Sequence, residues 1–316
     1  MIGWKLTNLI VGGTGFIGGH LAEYFFSEGE ISKGIFRKGS HLRILDQCGI
    51  QCLEADLMDR NSLHEPLDAV DVVYFLASPP SGREVDYAGF SRNALANLLG
   101  ECLDHGVKTF VYLSCLDVYG FGSGRTIGRD RAVGPTDEYQ KSKLDGERIV
   151  SEFSRTHPEV QVRIVRAAKA VGSREASVVI PILKMMEGGK VILPGGGRNR
   201  LSLAHPKDVA KALLMAANYG GGSGPFQVKS FDASADELSR ALASACGKVV
   251  EVKQQGMFNK GLIGKYAADE MAAGLVLEED ESAKKIGYIP VFDLMKVVEE
   301  VSAWYRKEPW ATRSLA

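Results

Sequence analysis

The segment EYQKSK at 138–143 contains the residues best suited to proton transfer. Tyr139 and Lys143 are four residues apart, a spacing that places both on one face of a helix. An ammonium group near a phenol favours the phenolate, which lowers the phenol pKa from about 10 towards the working range of a general acid or base. The pair predicts acid–base chemistry on an oxygen of a bound molecule, although a Tyr and a Lys often have this spacing by chance.

A glycine-rich loop near the start of the sequence predicts a phosphate-binding turn. In VGGTGFIGG, Gly12, Gly15 and Gly18 stand three residues apart, after an apolar run and at the start of a helical pattern. The first glycine permits a tight turn, the second lets a pyrophosphate approach the backbone, and the third lets helix and sheet pack closely. The phosphate is expected to bind N–H groups at the positive end of a helix that includes Phe16 and Ile17. This context favours a dinucleotide site over an ordinary glycine-rich turn.

The end of the second predicted strand carries cations where an acidic residue would select NAD. Arg37 and Lys38 end this strand, and Ser40 lies close by. Two cations without a carboxylate suit a 2′-phosphate, so NADP(H) is favoured over NAD(H), which is kept as the second possibility. The alternative is a solvated basic turn.

Two further strand ends are assigned to the cofactor. Asp56 and Leu57 follow the third predicted strand and are expected to flank the adenine, although a strand-end cap explains them almost equally well. Ala77, at the end of the fourth predicted strand, is also expected to contact the cofactor.

These residues need a parallel sheet that brings several strand ends to one edge. Apolar runs that predict strands lie at 6–11, 34–37, 50–55, 70–77 and 108–114. Helical patterns occupy 87–105, 137–153, 207–217, 234–246 and 291–306. Apolar strands separated by amphipathic helices predict an α/β fold, a doubly wound parallel Rossmann sheet with a smaller mixed C-terminal substrate lobe. We expect a dinucleotide-binding domain at 1–171 and a mostly substrate-binding lobe at 172–316, with segments near 200–217 returning to the Rossmann domain.

Composition narrows the class of partner. The 316 residues are 45% hydrophobic and 24% charged, and the formal net charge is −1, so no basic face indicates nucleic acid or a membrane surface. No apolar run approaches the roughly 18 residues of a spanning helix, and no cleavable leader pattern is visible, so we expect a cytoplasmic protein that acts on a small molecule. The five scattered cysteines are predicted to be reduced thiols, and no metal site is predicted.

Several motifs together resemble the extended short-chain dehydrogenase/reductase family, also called the NAD-dependent epimerase/dehydratase family. The resemblance covers nearly the whole chain, in the order GxxGxxG at 12–18, ADL at 55–57, FVYLSCLDVYG at 110–120, YxxxK at 139–143, LAHPKDVAKALLMA at 203–216, KKIGYIP at 284–290 and WYR at 304–306. It implies hydride transfer between a nicotinamide and a substrate carbon bearing a hydroxyl or carbonyl. Tyr139 is the implied acid/base, and Lys143 is expected to bind the nicotinamide ribose and depress the tyrosine pKa. A homodimer through the helices at 87–105 and 137–153 is expected by analogy.

The main departure from the family pattern is a cysteine. The hydroxyl residue that normally helps hold the substrate oxygen aligns with Cys115, and strand alternation directs Ser114 to the opposite face. A thiol is a weak hydrogen-bond donor. Cys115 therefore has three interpretations: a poor substitute for the catalytic serine, an inert core residue, or a redox-sensitive thiol beside the cofactor.

Other positions bear on the substrate. Family dehydratases carry a carboxylate pair where this chain has Leu116 and Asp117, so a 4,6-dehydratase is not expected. Where nucleotide-sugar enzymes carry an asparagine and an arginine, this chain has Lys169 and Leu201, which weakens the case for a nucleotide-sugar. Lys169, Arg200 and the neighbouring Arg198 still offer charge to an anionic substrate; as an alternative, they are solvated loop cations. Asp117, Lys169 and Arg200 are kept as candidate substrate residues.

The segment GRNRLSLAHPKDVA and the second strand, which ends in Arg37, resemble the dihydroflavonol-reductase and hydroxysteroid-dehydrogenase branch of the family more than its epimerase branch. The leading hypothesis is an NADP(H)-dependent oxidoreductase that interconverts a carbonyl and a hydroxyl on a small organic molecule. The alternatives are a nucleotide-sugar epimerase with tightly bound NAD and a non-catalytic cofactor-sensing regulator. The stretch 255–277 either lines an apolar substrate pocket or forms the core of the small lobe; its residues are Met257, Phe258, Leu262, Ile263, Tyr266, Met271 and Leu275.

Overall fold

A computed structural model describes residues 6–78, 86–121, 126–128, 131–255, 262–278 and 281–307. The strands are β1 (Thr7–Val11), β2 (Ile31–Phe36), β3 (Gln51–Glu54), β4 (Val72–Phe75), β5 (Thr109–Cys115), β6 (Thr126–Ile127), β7 (Gln161–Ala167), β8 (Lys169–Ala170), β9 (Lys190–Leu193), β10 (Arg200–Ala204), β11 (Phe226–Val228), β12 (Phe231–Ser234), β13 (Glu251–Gln254) and β14 (Val276–Leu277). The α-helices are α1 (Phe16–Glu28), α2 (Arg43–Gln47), α3 (His64–Leu67), α4 (Tyr87–Asp104), α5 (Glu138–Thr156), α6 (Val179–Glu187), α7 (Pro206–Ala217), α8 (Ala235–Ala245), α9 (Lys265–Ala273), α10 (Glu281–Lys285) and α11 (Leu294–Lys307).

A parallel sheet of seven strands, in the order β11-β7-β5-β4-β1-β2-β3, organises the fold. Strand β1 has β2 on one side and β4 on the other, so the strand order reverses there, and ligands of such sheets bind outside the carboxyl ends at this point. Val11 lies opposite Ile35 in β2 and Phe75 in β4. This register brings the segments that follow the three strands to one edge, as the sequence predicted.

Apolar side chains cover both faces of the sheet. One layer places α1 and α7 against the sheet, with Leu21, Phe25, Val209 and Leu213 fully buried. The other layer is formed by α4 and α5, and α4 buries Leu95 and Leu98 completely. Burial on both faces explains why the central strands are nearly continuous apolar runs, and it confirms the doubly wound α/β architecture. Helices α4 and α5 pack against each other, and the homodimer through them stays a prediction.

A third apolar core belongs to the C-terminal part of the chain. It is built from α6, α8 and α11 with the small sheets β12-β10-β8 and β13-β9, and Ile182, Leu242 and Val297 are fully buried in it. Helix α7 and strand β11 lie instead against the large sheet, so the chain returns to that sheet after residue 200. The return of a strand as well as a helix had no clear sequence signal, because β11 is only three residues long.

The sequence located most elements, with errors at their ends. Strand β2 begins at Ile31, three residues before the predicted start, because Ser32 and Lys33 do not look like strand residues. The last helix begins at Leu294 instead of 291. Within the described ranges, no helix combines the length and apolar character that crossing a lipid bilayer requires.

Candidate active site

A cavity of about 820 Å³ runs along the carboxyl edge of the large sheet. Most residues that the sequence singled out line it, namely Gly12, Gly15, Phe16, Ile17, Gly18, Arg37, Asp56, Leu57, Ala77, Cys115, Asp117, Tyr139, Lys143 and Lys169. Two of the candidates lie elsewhere. Lys38 borders an adjoining groove with Arg37 and Asp56. Arg200 is outside the cavity, where its guanidinium pairs with Glu237 at 2.6 Å.

The glycine loop packs so closely that side chains are excluded. Gly12 has a φ of +94°, and a Cβ there would lie 2.8 Å from the backbone nitrogen of Ala77. A Cβ on Gly18 would lie 2.1 Å from the carbonyl oxygen of Gly12. Helix α1 begins after Gly15 without a side-chain cap, so the first N–H groups of the helix face the cavity edge without a side-chain acceptor. The cradle fits a dinucleotide pyrophosphate.

The end of β2 carries an exposed cation at the edge of the cavity. Arg37 is exposed at the cavity edge and forms no ion pair with any residue in the described ranges. Asp56, across the groove, accepts a hydrogen bond from the backbone N–H of Met58 at 2.9 Å, so its carboxylate is engaged in its own turn. Ser40 lies on the same cavity wall. This end of the cavity therefore offers Arg37 to an anion.

Tyr139 and Lys143 project from the first two turns of α5, as their spacing predicted. Asp137 caps the helix by accepting a hydrogen bond from the N–H of Gln140 at 2.9 Å. The Lys143 ammonium donates to the Leu113 carbonyl oxygen at 3.1 Å, which anchors it to β5, and lies 6.0 Å from the centre of the Tyr139 ring. The Tyr139 hydroxyl makes no hydrogen bond to another described residue. It is the acid/base group with a free hydroxyl in this part of the cavity.

The direction of the Tyr139 pKa shift is opposite to the sequence-based prediction. Burial raises the pKa of Tyr139 well above 10, and the nearby Cys115 and Asp117 act in the same direction. Burial also lowers the pKa of Lys143, which weakens the cation that was expected to favour the phenolate. The sequence gives the spacing of the pair but not its desolvation. In this environment, Tyr139 is a protonated phenol at neutral pH.

Ser114 and Cys115 end β5 in different surroundings. Ser114 borders the cavity, but its hydroxyl donates to a carboxylate oxygen of Glu147 at 2.5 Å. Glu147 in turn binds the guanidinium of Arg166 through both oxygens, at 2.9 and 2.6 Å. Cys115 lines the cavity beside Tyr139, and burial raises the pKa of its thiol well above 9. A thiol that stays protonated is a weak nucleophile, which counts against the redox interpretation of Cys115.

Carboxylates and two paired lysines line the other end of the cavity. The Tyr266 hydroxyl donates to Asp117 at 2.6 Å. The Lys169 ammonium lies 3.2 Å from a carboxylate oxygen of Glu270 and donates to the Ser177 hydroxyl at 2.9 Å. Burial raises the pKa of Asp117, and it raises that of Glu270 to about 8 because it outweighs the ion pair with Lys169. This end is therefore a polar, largely buried wall in which Lys169 and the exposed Lys265 both already have carboxylate partners, Glu270 and Asp269.

Sequence reasoning missed part of this wall. Tyr266 and Glu270 are four residues apart on α9, which is a recognisable signal for a shared helix face. Glu175 also lines the cavity, and its carboxylate accepts from the N–H groups of Val178 and Val179 at 2.8 Å. Nothing in the sequence distinguishes Glu175 from a surface glutamate.

The described part of the stretch 255–277 contributes mainly core residues and not an apolar substrate pocket. Ile263 and Met271 belong to the small-lobe core, and Leu275 to the core beneath the large sheet. Leu262 is 58% exposed, and Met257 and Phe258 lie outside the described residues. Of the residues in this stretch that the sequence proposed, Tyr266 lines the cavity.

Comparison with known proteins gives relatives with named activities. The chain is 25% identical to a dTDP-glucose 4,6-dehydratase of Actinoplanes sp., over 94% of this chain and 97% of the relative. It is 23% identical to a human sterol-4-alpha-carboxylate 3-dehydrogenase, decarboxylating, over 72% of this chain and 62% of the relative. The structure of UDP-glucose 4-epimerase from Thermotoga maritima, solved with UDP-glucose, superposes with a TM-score of 0.83 at 21% identity and covers 96% of this chain and 100% of that chain. At this identity the superposition shows a shared fold.

The family is shown by a match to most of the chain. The model of the NAD dependent epimerase/dehydratase family matches residues 8–228, from β1 through β11. This range contains the glycine loop, β5 and the Tyr139–Lys143 pair, which line one cavity. The chain therefore belongs to the NAD dependent epimerase/dehydratase family, and it is an NAD(P)-dependent enzyme of the extended short-chain dehydrogenase/reductase type.

Proposed function

We propose that this enzyme is an NADP(H)-dependent oxidoreductase that interconverts a carbonyl and a hydroxyl group on a small, uncharged organic molecule. The observation that carries the proposal is the position of Tyr139: its hydroxyl makes no hydrogen bond to a described residue, and the residue lines the cavity that also holds the glycine loop. The bound cofactor supplies or accepts the hydride. Gly12, Gly15 and the first N–H groups of α1 would hold its pyrophosphate.

The raised pKa of Tyr139 suits the reductive direction. A protonated phenol can donate its proton to a carbonyl oxygen as that oxygen gains charge. The oxidative direction requires a phenolate, which burial and the neighbouring Asp117 disfavour. Lys143 is fixed to β5 through the Leu113 carbonyl and would present its remaining N–H groups towards the cofactor ribose.

Arg37 supports the choice of NADP(H). A guanidinium without an acidic partner binds a phosphate strongly, whereas an NAD site needs an acceptor for the ribose hydroxyls. Titration of the purified enzyme with each cofactor checks this choice. We expect Arg37→Ala to weaken NADPH binding about tenfold and to leave NADH binding unchanged, because the substitution removes a contact that only the 2′-phosphate makes.

The charge of the substrate end supports an uncharged substrate. Asp117, Glu175 and Glu270 lie at this end with Lys169 and Lys265, and both lysines are already paired, with Glu270 and Asp269. A diphosphate placed here would make these acids still harder to ionise and would meet lysines that already have carboxylate partners, which opposes its binding. Hydroxyl or carbonyl groups can instead exchange hydrogen bonds with Tyr266 and the carboxyl groups.

A nucleotide-sugar epimerase with tightly bound NAD is the second candidate. The relation to the Thermotoga maritima enzyme, whose structure holds UDP-glucose, favours this reaction. The cofactor would then take a hydride and return it within one cycle. A non-catalytic cofactor sensor is disfavoured, because Tyr139 and Lys143 both line the cavity.

One experiment separates the two enzymatic candidates. Nucleotide released from the denatured protein is identified by mass spectrometry, and NADPH oxidation is then followed with a panel of ketones and aldehydes. We expect an exchangeable site that prefers NADPH and a Tyr139→Phe variant that is about 10²- to 10⁴-fold slower, because the variant lacks the proton donor. Retained NAD(H), together with interconversion of UDP-sugars, would assign the epimerase instead. Wild-type turnover in Tyr139→Phe would remove the tyrosine from the mechanism.

A further inference from the structure

Two histidines and a glutamate meet at the edge of the sheet opposite the cavity. His64 begins α3, Glu101 lies in the last turn of α4, and His105 caps the end of that helix. Helix α4 runs antiparallel to the strands, so its end lies near the amino ends of β4 and β5. The three side chains each offer one ligand atom, and these atoms lie within 4.8 Å of one another.

The distances match those in a metal site. A Glu101 carboxylate oxygen, Oε2, lies 3.4 Å from Nδ1 of His64 and 3.6 Å from Nδ1 of His105. Zinc–ligand bonds of about 2.0–2.1 Å in a tetrahedron place neighbouring ligand atoms roughly 3.3 Å apart. The two glutamate–histidine pairs therefore need to shift by only a few tenths of an ångström to hold one ion, and the two imidazole nitrogens, which lie within 4.8 Å of each other, by at most about 1.5 Å.

The glutamate oxygen that faces the imidazoles makes no hydrogen bond to a described residue. Glu101 is 7% exposed, and Oε2 is buried without a hydrogen-bond partner among the described residues. The other oxygen, Oε1, accepts a hydrogen bond from Arg60 at 2.7 Å, which fixes the carboxylate group. In this arrangement the oxygen is met only by the imidazole nitrogens at 3.4 and 3.6 Å, and a bound cation would replace these weak contacts with direct ligand bonds.

The surroundings provide orientation and charge. Nε2 of His105 lies 3.6 Å from a carboxylate oxygen of Asp68, which can hold the tautomer that leaves Nδ1 free for a metal. In the present arrangement Nδ1 lies 3.0 Å from the Glu101 carbonyl oxygen, a contact that metal binding would replace. Glu101 and Asp104 pair with Arg60, Asp68 lies beside His105, and the Lys33 ammonium donates to the Asp68 carbonyl oxygen at 2.7 Å, so three acids face two cations and the local balance favours a bound cation.

We propose that His64, Glu101 and His105 form a site for a divalent transition-metal ion, with Zn²⁺ as the best-matched ion. Two imidazoles and a carboxylate are a known zinc ligand set, and water would fill the fourth position on the exposed side of His64. The ion would join α3 to the end of α4 and thereby stabilise the fold away from the cavity. The sequence analysis predicted no metal site, because a single Glu101–His105 pair four residues apart is common on helices and the third ligand, His64, comes from another element.

The test is calorimetric titration of untagged, chelator-treated enzyme with Zn²⁺, together with the absorption spectrum of the Co²⁺ form. We expect one bound ion per chain, a tetrahedral Co²⁺ spectrum without sulfur ligation, and a higher Tm in Zn²⁺. His64→Ala should weaken Zn²⁺ binding at least about tenfold and abolish the gain in Tm. Its side chain is 73% exposed, so the variant is expected to fold.

A matched control uses a histidine with a single acidic neighbour. His157 lies 3.5 Å from Glu159 and belongs to no three-ligand cluster within the described residues. His157→Ala should therefore bind Zn²⁺ as the wild type does. Equal affinity in His64→Ala and wild type, or a sulfur-to-cobalt charge-transfer band, would overturn the assignment.

Discussion

The polar groups around Ser114 and those around Cys115, both at the end of β5, differ in their hydrogen-bond partners. Around Ser114, the hydroxyl, the Glu147 carboxylate, the Arg166 guanidinium and the Tyr119 hydroxyl form one closed network. Around Cys115, the Tyr139 hydroxyl has no hydrogen-bond partner among the described residues, and burial raises the pKa of both groups. The polar groups around Ser114 use their hydrogen-bonding capacity on each other, whereas the Tyr139 hydroxyl and the Cys115 thiol can bind a ligand.

This difference assigns the residues around Ser114 mainly to stability and those around Cys115 mainly to chemistry. A closed buried network loses much when one member is removed, because the remaining charge is left without its partner. A group without a protein partner contributes little to the fold, but it can act on a bound molecule. Substitutions in the first region should therefore change unfolding, and those in the second should change turnover.

The largest expected effect is on the closed network. Glu147→Ala should lower the free energy of unfolding by about 3 kcal/mol or more, because it leaves the buried Arg166 guanidinium uncompensated. Urea denaturation followed by circular dichroism measures the change. Glu152→Ala is the control on the same helix, since Glu152 forms an exposed pair with Arg155 and should cost at most about 1 kcal/mol. Similar losses in the two variants would contradict the distinction between the regions.

A smaller effect is expected at Cys115 and decides between its interpretations. Cys115→Ser should raise carbonyl turnover about tenfold if the residue holds the substrate oxygen, because a hydroxyl is a stronger donor than a thiol. Ser114→Ala is the matched substitution at the preceding residue. It should lower the free energy of unfolding by about 1–2 kcal/mol and leave turnover unchanged. Steady-state kinetics and Tm are measured for both variants. Unchanged turnover in Cys115→Ser and Cys115→Ala would make Cys115 an inert packing residue.

The smallest expected effect is the pH dependence of stability that arises from Glu300 and its partners. Although burial opposes it, the hydrogen bond from His205 and the charge of Lys207 lower the pKa of Glu300 from 4.5 to about 2. An acid with a depressed pKa stabilises the fold above its unfolded pKa, so this contribution should disappear as pH falls from about 4.5 towards about 2. Glu300→Gln should lose roughly 1–2 kcal/mol at pH 7, and the difference from wild type should shrink by pH 3. Tm values that differ equally at both pH values would exclude this origin.

The cofactor half of the cavity could be predicted from the sequence, because its parts are local. Gly12, Gly15 and Gly18 lie within seven residues, and their glycine identity follows from close backbone packing. Arg37 follows a strand whose position was predicted from its apolar residues. The architecture was confirmed for the same reason, since each strand and helix has its own periodic signal.

The substrate half could be predicted only in part, because it is assembled from distant segments. Tyr266 and Asp117 are hydrogen-bonded across 149 residues of sequence. The pairing of Lys169 with Glu270, and the burial that reverses the expected Tyr139 pKa shift, depend on how α9 packs over the cavity. Spacing along the chain carries no information about such desolvation.

The short strand β11 has a practical consequence for dividing the chain. It pairs with β7, with Phe226 opposite Val165 and Val228 opposite Ala167. A shortened chain that ends at residue 171 would lack β11 and leave the outer side of β7 open, with its N–H and C=O groups unpaired. Such an edge invites strand addition from a second molecule, so the shortened chain should aggregate. A soluble fragment of this enzyme would have to extend through residue 228.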